Sequence, residues 1–311
     1  MQQLINRPLL DGLWSPVDSR YTMTRIYLAK GFGKLDRTTL PTFELLLKQL
    51  DIRFRRTNAS DSDALFFVHN FMNLLVYPIS GYPVNENLGR ADSRCQTIEH
   101  LLHDKAVPCP TIDSLVDIGC SSGSITNGLK EMFNLVQTQI HGIDVLEPSR
   151  VLFKNKITYH QVVNTSNPVL PFADNSISIV TMLMSLHHIQ FAKEYIDEAY
   201  RILKHGGILI IKEHDVHSEN VPLAQALNAL HGLYSIAWAK QGEHEDPLFP
   251  LDFFAAYKSK EEWTLLIKQS NFEHIPTSHY TSSDCYRNYK QVQPAHVKNA
   301  MFSYWGTYIK R

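Results

Sequence analysis

This 311-residue sequence lacks an excess of charge of one sign, long apolar runs and closely spaced cysteines. Its 30 basic and 31 acidic residues leave a net charge of −1, so any contact with nucleic acid must come from local patches. No apolar run approaches the length of a membrane span and the N-terminus lacks a signal-peptide pattern, so we expect no membrane contact. The four cysteines form no close metal-ligand pairs, which favours reduced thiols in a cytoplasmic protein.

The clearest pattern that is present is a strand, a glycine turn and a helix. An apolar strand containing Asp117 leads into Gly119 and Gly123, and helical spacing follows over residues 124–133. Glycines at such a turn permit backbone angles that side chains disfavour, and they let a ligand approach the backbone. A second strand ends at Asp144, about twenty residues further on, where a carboxylate can accept hydrogen bonds from both hydroxyls of a ribose. The sequence therefore predicts a nucleotide-binding α/β sheet.

Asp117 distinguishes two kinds of nucleotide. A carboxylate at the end of the first strand repels a pyrophosphate, which a dinucleotide carries, but suits a cationic ammonium group. The stretch Asp-x-Gly-x-Ser-x-Gly, in which Ser121 replaces the middle glycine, resembles the first motif of class I S-adenosylmethionine (SAM) methyltransferases. Three later segments resemble the same family in the same order, namely residues 170–176, 185–189 and 200–207.

This resemblance implies a Rossmann-like, doubly wound α/β fold with a seven-stranded sheet, and SAM as the cofactor. Cofactor contacts are expected from the first two strand ends, from polar residues after the third strand, from the end of the fourth strand and from an upstream arginine. These residues are Asp117, Gly119, Ser121, Gly123, Asp144, Val145, Asn164, Thr165, Ser166, Met184, Ser185 and Arg94.

Further elements follow from the pattern of apolar residues and turns. Gly206 and Gly207 are expected to stop a helix, and Ser259 with Glu262 predicts a capping box at the start of another. The remaining predicted strands are residues 157–163, 177–183 and 208–212, followed by a closing hairpin of 274–280 and 300–310.

Titratable side chains gather after the fourth and fifth strands, whose carboxyl ends face the ligand in this kind of sheet. We considered a metal site, a general base among the histidines, and recognition of guanine N1–H and N2–H by Glu213. The possible metal ligands are split and include no helical His-x-x-x-His pair, so we expect no metal. We expect Glu213, His187 and His188 to be catalytic and His214 to bind substrate.

Two motifs that are absent narrow the choice of the group that accepts the methyl. No Asn-Pro-Pro-Tyr follows the fourth strand and no spaced Lys-Asp-Lys-Glu set is evident, which argues against adenine amino groups and ribose 2′-hydroxyls. His188-x-x-Phe191 and the aromatic residues 302–308 resemble the mRNA cap guanine-N7 methyltransferase domains of capping enzymes from large cytoplasmic DNA viruses, such as African swine fever virus. That resemblance implies capped RNA as substrate, triphosphatase and guanylyltransferase domains upstream in the same chain, and a cytoplasmic viral factory or the virion as location.

The expected domain organisation has two parts. Residues 1–95 form a helical extension, and residues 96–311 form the methyltransferase domain with a substrate insertion at about 213–259. Basic residues interleaved with aromatics in the extension suggest phosphate and base contacts, although a solvated surface explains them equally well. The expected substrate contacts of the two parts are Arg53, Arg55, Arg56, Phe249 and Tyr257.

Other functions remain open at this point. An rRNA guanine methyltransferase or a small-molecule methyltransferase fits the same core. A SAM-binding stimulatory subunit without catalysis is the alternative from another class, because Ser121 departs from the glycine pattern and one cap-family motif is unmatched. The retained Asp117, Gly119 and Asp144 argue for a working cofactor site.

Overall fold

The computed structural model describes residues 88–104, 106–108, 111–217, 254–277 and 303–311, together with Leu45. The chain divides into two compact units, and every described residue except Leu45 belongs to one of them. Most of the predicted extension and of the predicted insertion lies outside the described residues, and so do Arg53, Arg55, Arg56 and Phe249. None of the helices within the described ranges is long and apolar enough to cross a bilayer.

The described strands form a single mixed sheet. They are β1 (Leu115–Ile118), β2 (Ile140–Asp144), β3 (Thr158–Gln161), β4 (Ile177–Leu183), β5 (Leu203–Glu213), β6 (Phe272–Ile275) and β7 (Tyr304–Lys310). Their order across the sheet is β3-β2-β1-β4-β5-β7-β6. Strands β1 to β5 are parallel, whereas β7 runs antiparallel to both β5 and β6. The predicted Rossmann-like, doubly wound fold is confirmed.

Helices cover both faces of this sheet. The described helices are α1 (Leu88–Leu102), α2 (Ser124–Met132), α3 (Ala192–Ile202) and α4 (Lys260–Lys268). One apolar core contains Tyr195 of α3 and Trp263 of α4, and the other contains Ile98 of α1 and Leu129 of α2. Strand β4 is buried along its whole length. This burial on both faces explains why its sequence is an almost continuous apolar run rather than an alternating one.

The start of α4 is the predicted capping box. The Ser259 hydroxyl accepts a hydrogen bond from the Glu262 N–H at 3.2 Å, and a Glu262 carboxylate oxygen accepts one from the Ser259 N–H at 2.8 Å. These reciprocal bonds satisfy two backbone donors that would otherwise lack partners at a helix start. The prediction is confirmed.

The region before β5 differs from expectation. The prediction that Gly206 and Gly207 end a helix is wrong, because α3 already ends at Ile202 and β5 begins at Leu203. Gly206 lies within the strand with φ of +79°, and the pairing of β4 with β5 shifts register between Ile177 and Ile179. Gly206 therefore allows an irregularity in the pairing of β4 with β5, and it does not end a helix.

Other strand bounds also differ from the predictions. Strand β3 is shorter than the predicted residues 157–163, and β6 begins and ends earlier than the predicted residues 274–280. The closing hairpin is nevertheless antiparallel, as predicted. Strand ends are set by neighbouring strands, so a pattern within one segment locates them only approximately.

A buried carboxyl group joins three of these elements. Asp117 of β1 is 2% exposed, and its two oxygens each accept a hydrogen bond of 2.7 Å, one from the hydroxyl of Thr126 in α2 and one from that of Thr181 in β4. Burial raises the pKa of Asp117, while the two hydroxyls and the positive charge of Arg94 act in the opposite direction. These contacts fix the end of β1 against the start of α2.

Replacing Thr181 with valine should lower the free energy of unfolding by about 1–3 kcal/mol, because a buried acceptor loses one of its donors. Urea denaturation measures this change. Thr307→Val is the matched control, since Thr307 is also fully buried but its hydroxyl has no hydrogen-bond partner among the described residues. The control should leave the free energy of unfolding unchanged or raise it, because it removes a buried hydroxyl that lacks a partner. Equal losses in the two variants would contradict the assigned role of the Thr181 hydroxyl.

Candidate active site

The glycine turn after β1 packs against two neighbouring strand ends. Gly119 has φ of +81°, and a Cβ at this position would lie 2.3 Å from the Cβ of Ser185. Its N–H donates to the carbonyl of Ile143 at 2.7 Å. Gly123 precedes α2 with φ of +79°, and a Cβ there would lie 3.0 Å from Ile157. Glycine is therefore favoured at both positions, because the backbone angles and the close approach of Ser185 and Ile157 leave no room for a side chain.

The same turn orients the carboxylate at the end of β2. The backbone N–H of Ser121, a residue with φ of +50°, donates to Asp144 Oδ2 at 2.7 Å. The N–H groups of Val145 and Leu146 donate to Asp144 Oδ1 at 2.8 and 3.2 Å. Burial raises the pKa of Asp144 against the effect of these three donors. A carboxylate has about four acceptor positions, so this one retains capacity for a ligand hydroxyl.

Polar side chains lie beyond the end of β3, next to the end of β2. Asn164 and Ser166 are exposed, and the hydroxyl of Thr165 accepts a hydrogen bond from the Asn167 N–H at 3.4 Å. The segment is anchored where the Tyr195 hydroxyl of α3 donates to the carbonyl of Val163 at 2.9 Å. Polar groups are therefore exposed at the edge where an adenine is expected.

The end of β4 lies between β1 and β5. Met184 adopts a left-handed conformation, with φ of +61°, and its N–H donates to the carbonyl of Lys212 at 2.6 Å. The hydroxyl of Ser185 donates to the carbonyl of Ile118 at 2.9 Å. Non-glycine residues in this conformation are unfavourable and cluster at functional sites. The chain therefore turns sharply where a ligand would approach.

Glu213, the last residue of β5, is completely buried. One of its oxygens accepts from the N–H of Leu186 at 2.8 Å, and the other from the N–H of His214 at 3.1 Å. That second oxygen also lies 2.7 Å from His187 Nδ1. Burial raises the pKa of Glu213 to about 7. Since its carboxyl group is shielded from solvent, the direct contact with a guanine edge that the sequence suggested is not available in this structure.

Above Glu213 lie four side-chain rings, His187, His188, His214 and Tyr257, which we call the ring cluster. The centroid of His187 lies 4.0 Å from that of His188, 4.8 Å from that of His214 and 5.5 Å from that of Tyr257. The rings of His187 and Tyr257 are close to parallel, at 25°. The structure thus brings together the three predicted histidines and one predicted stacking residue.

The ring cluster is tied to the segment that precedes α4. The N–H of Ala256 donates to the carbonyl of His187 at 2.8 Å, and His188 Nδ1 lies 3.1 Å from the carbonyl oxygen of Phe254. Burial lowers the pKa of His188, and it lowers that of His187 well below the ordinary value. Both imidazoles are therefore neutral near pH 7.

Three predicted cofactor residues differ in their exposure. Val145 is exposed beside Asp144, whereas Arg94 is buried on α1, where its charge acts on Asp117. Asp117 itself is enclosed, and its oxygens hold the two threonines rather than an open ligand position. Sequence reasoning missed Thr126 and Thr181. A threonine in the first turn after the glycines is a weak local signal, and Thr181, 64 residues from Asp117, gives none.

The parallel sheet with this strand order, closed by an antiparallel strand, together with the glycine turn beside Asp144, defines the class I methyltransferase fold. Residues 116–211 match the family model described as a methyltransferase domain. Residues 116–211 therefore resemble a methyltransferase domain, and the sheet that they belong to has the class I SAM-dependent methyltransferase fold.

Two curated bacterial proteins are similar to part of this domain. The demethylmenaquinone methyltransferase of Lactiplantibacillus plantarum is 29% identical over 105 residues, which are 32% of this chain and 44% of that protein. The ubiquinone/menaquinone biosynthesis C-methyltransferase UbiE of Rickettsia prowazekii is 26% identical over 112 residues, which are 34% of this chain and 43% of that protein. The chain thus spans less than half the length of the curated relatives that it matches.

Two solved methyltransferase structures align with this chain at low sequence identity. A SAM-dependent methyltransferase of Thermotoga maritima, described as a possible histamine N-methyltransferase, aligns with a TM-score of 0.45 and 18% identity over 84% of this chain and 98% of that one. A SAM-dependent methyltransferase of Methanosarcina mazei aligns with a TM-score of 0.44 and 18% identity over 69% of this chain and 96% of that one.

SAM is the cofactor of this domain, and it supplies a methyl group on a positively charged sulfur. The polar groups at the strand ends fit SAM. Asp144 offers a carboxylate to a ribose, and Asn164 and Ser166 offer polar groups to a base.

Asp144→Ala should weaken SAM binding by about 5- to 150-fold, equivalent to about 1–3 kcal/mol, because buried ligand hydroxyls lose a charged acceptor and the turn loses its anchor. Isothermal titration calorimetry measures the affinity. Asp174→Ala is the control, since Asp174 lies before β4 at the opposite end of the sheet, 69% exposed and paired with Arg201 at 2.8 Å. An unchanged affinity in Asp144→Ala would show that another residue holds the ribose.

Proposed function

We propose that this domain methylates N7 of the terminal guanine of GpppN-RNA, as the cap methyltransferase of a viral capping enzyme. The observation that supports this acceptor is the ring cluster, which places three imidazoles and a phenol at the ends of β4 and β5 beside an enclosed carboxyl group. Purines stack on aromatic side chains. The rings of His188 and Tyr257 are partly exposed and can offer such a surface, whereas those of His187 and His214 are buried beneath it.

The chemistry of guanine N7 matches this environment. N7 has a free lone pair, so methyl transfer to it removes no proton and needs no general base. The positive charge passes to the purine, which gains from the π faces around it. His187 and His188 are neutral and do not repel the cationic product. Glu213 then acts as a positioning residue, because it holds His187.

Residues elsewhere complete the proposal. Tyr257 belongs to the ring cluster and would stack on the purine. The expected contact from Phe249 lies outside the described residues and stays a prediction. Arg53, Arg55 and Arg56, also outside the described residues, would contact RNA phosphates from the N-terminal extension. The viral interpretation adds upstream triphosphatase and guanylyltransferase domains and a cytoplasmic viral factory or the virion as location.

Methylation of a quinol ring carbon is the second candidate, because both curated relatives described above are named for quinone biosynthesis. The two reactions differ in the acceptor. A quinol ring must lose a proton in the course of methyl transfer, whereas guanine N7 does not. An rRNA guanine or a small metabolite remains a further possible acceptor, and a non-catalytic SAM-binding subunit would methylate none of these molecules.

A methyl-transfer assay with radiolabelled SAM should incorporate label into GpppA-RNA. The same RNA with 7-deazaguanine in the cap is the matched control, since it lacks only the proposed acceptor atom, and it should remain unlabelled. Demethylmenaquinol, rRNA and GTP complete the panel. Label in the 7-deaza cap, or in the quinol but not in capped RNA, would contradict the proposal. Binding of SAM without transfer to any acceptor would favour the stimulatory subunit.

The pH dependence of single-turnover rates is a second way to distinguish guanine N7 from acceptors that need a general base. A histidine base works only when unprotonated, so a rate that needs one falls about tenfold per unit as the pH drops through the pKa of that histidine. Burial places this fall below the ordinary histidine value of 6.5. With capped RNA we expect no such fall between about pH 5 and 6.5. A fall in this range that disappears in His188→Asn would contradict guanine N7 as the acceptor.

A further inference from the structure

A second group of titratable side chains lies beside the ring cluster. Asp215 follows β5, His217 comes two residues later, and Glu261 lies in the first turn of α4. Their nearest nitrogen and oxygen atoms all lie within 4.8 Å of one another, and His217 Nε2 is 3.9 Å from Asp215 Oδ1. Asp215 is buried, His217 is partly exposed and Glu261 is exposed.

Tyr304 of β7 lies in the same region of the sheet, because it pairs with Glu213, two residues before Asp215. Tyr304 is 1% exposed, and its hydroxyl has no hydrogen-bond partner among the described residues. Lys260, whose N–H donates to Asp215 Oδ1 at 2.9 Å, has its ammonium 5.9 Å from the centre of the Tyr304 ring. Burial raises the pKa of Tyr304, and the charges of Asp215 and Glu261 are among the further causes. A buried polar atom without a partner indicates a missing ligand or solvent contact.

We propose that Asp215, His217 and Glu261 bind a divalent transition-metal ion of the zinc type. One imidazole nitrogen and two carboxylate oxygens are ligands that Zn²⁺ accepts, and the nitrogen disfavours Mg²⁺ and Ca²⁺. The exposed parts of His217 and Glu261 can rotate to shorten the ligand separations.

This site differs from the metal site that the sequence argued against. Its third ligand, Glu261, is supplied by α4, and no spacing in the sequence connects it to Asp215. Glu261 also has an ordinary structural explanation, because an acidic residue in the first turn of a helix stabilises the helix dipole. That explanation does not involve His217, and it predicts no affinity for metal.

The position of the site predicts what the ion does. Its ligands come from the two segments that flank residues 218–253, and these segments are already joined where the N–H of Val216 donates to the carbonyl of Lys258 at 3.1 Å. A bound ion would fasten the end of β5 to the start of α4. It would raise the thermal stability without taking part in methyl transfer, so the site does not depend on the proposed acceptor.

The test uses the full chain without an affinity tag, treated with chelator and then titrated with ZnCl₂ in a calorimeter. We expect one equivalent to bind with a Kd of about 1 μM or tighter, and a higher Tm with Zn²⁺. His217→Ala and Glu261→Gln should each weaken binding at least about tenfold. His103→Ala, which removes an exposed histidine on the segment after α1, should leave the affinity unchanged.

Two results would overturn the proposal. One is a wild-type affinity for Zn²⁺ weaker than about 1 mM. The other is tight binding that persists in both His217→Ala and Glu261→Gln, which would place the ion elsewhere in the chain. Both substituted side chains are at least partly exposed, so circular dichroism should show that the variants fold as the wild type does.

Discussion

The buried carboxyl group of Glu213 is the contact on which the candidate site depends. It bonds to the Leu186 N–H, to the His214 N–H and to the His187 ring, and so fastens the end of β4 to the end of β5. A buried carboxyl group without these partners would be strongly unfavourable, so the two strand ends are held in one arrangement. The geometry of the ring cluster follows from that constraint.

At the neighbouring strand ends, Asp117 and Asp144 likewise accept hydrogen bonds that hold nearby groups in place. Asp117 accepts from Thr126 and Thr181, and Asp144 accepts from the Ser121 N–H of the glycine turn and from the N–H groups of Val145 and Leu146. In each case an acidic side chain organises backbone or side-chain groups from other elements. Because Asp117 and Glu213 are enclosed, the Asp144 carboxylate and the partly exposed rings of His188 and Tyr257 are the groups left toward a ligand. Such a surface suits a nucleoside cofactor and an acceptor that stacks.

Much of the fold could be predicted because its signals are local. The apolar run of β4, the glycines of the turn and the Ser259 capping box each lie within a few residues. Gly206 was misinterpreted, since a glycine pair looks alike at a helix end and at a strand irregularity. The direction of the Glu213 side chain depends on partners 26 and 27 residues away, and that of Asp117 on Thr181, so no local pattern reports them.

The claim that these strand ends form a SAM site is tested most directly by calorimetric titration of the purified chain with SAM, followed by displacement with S-adenosylhomocysteine. One equivalent of SAM should bind with a Kd in the range of about 1–100 μM, and the second ligand should compete for the same site. No heat of binding, together with no change in Tm at about 1 mM SAM, would contradict the claim.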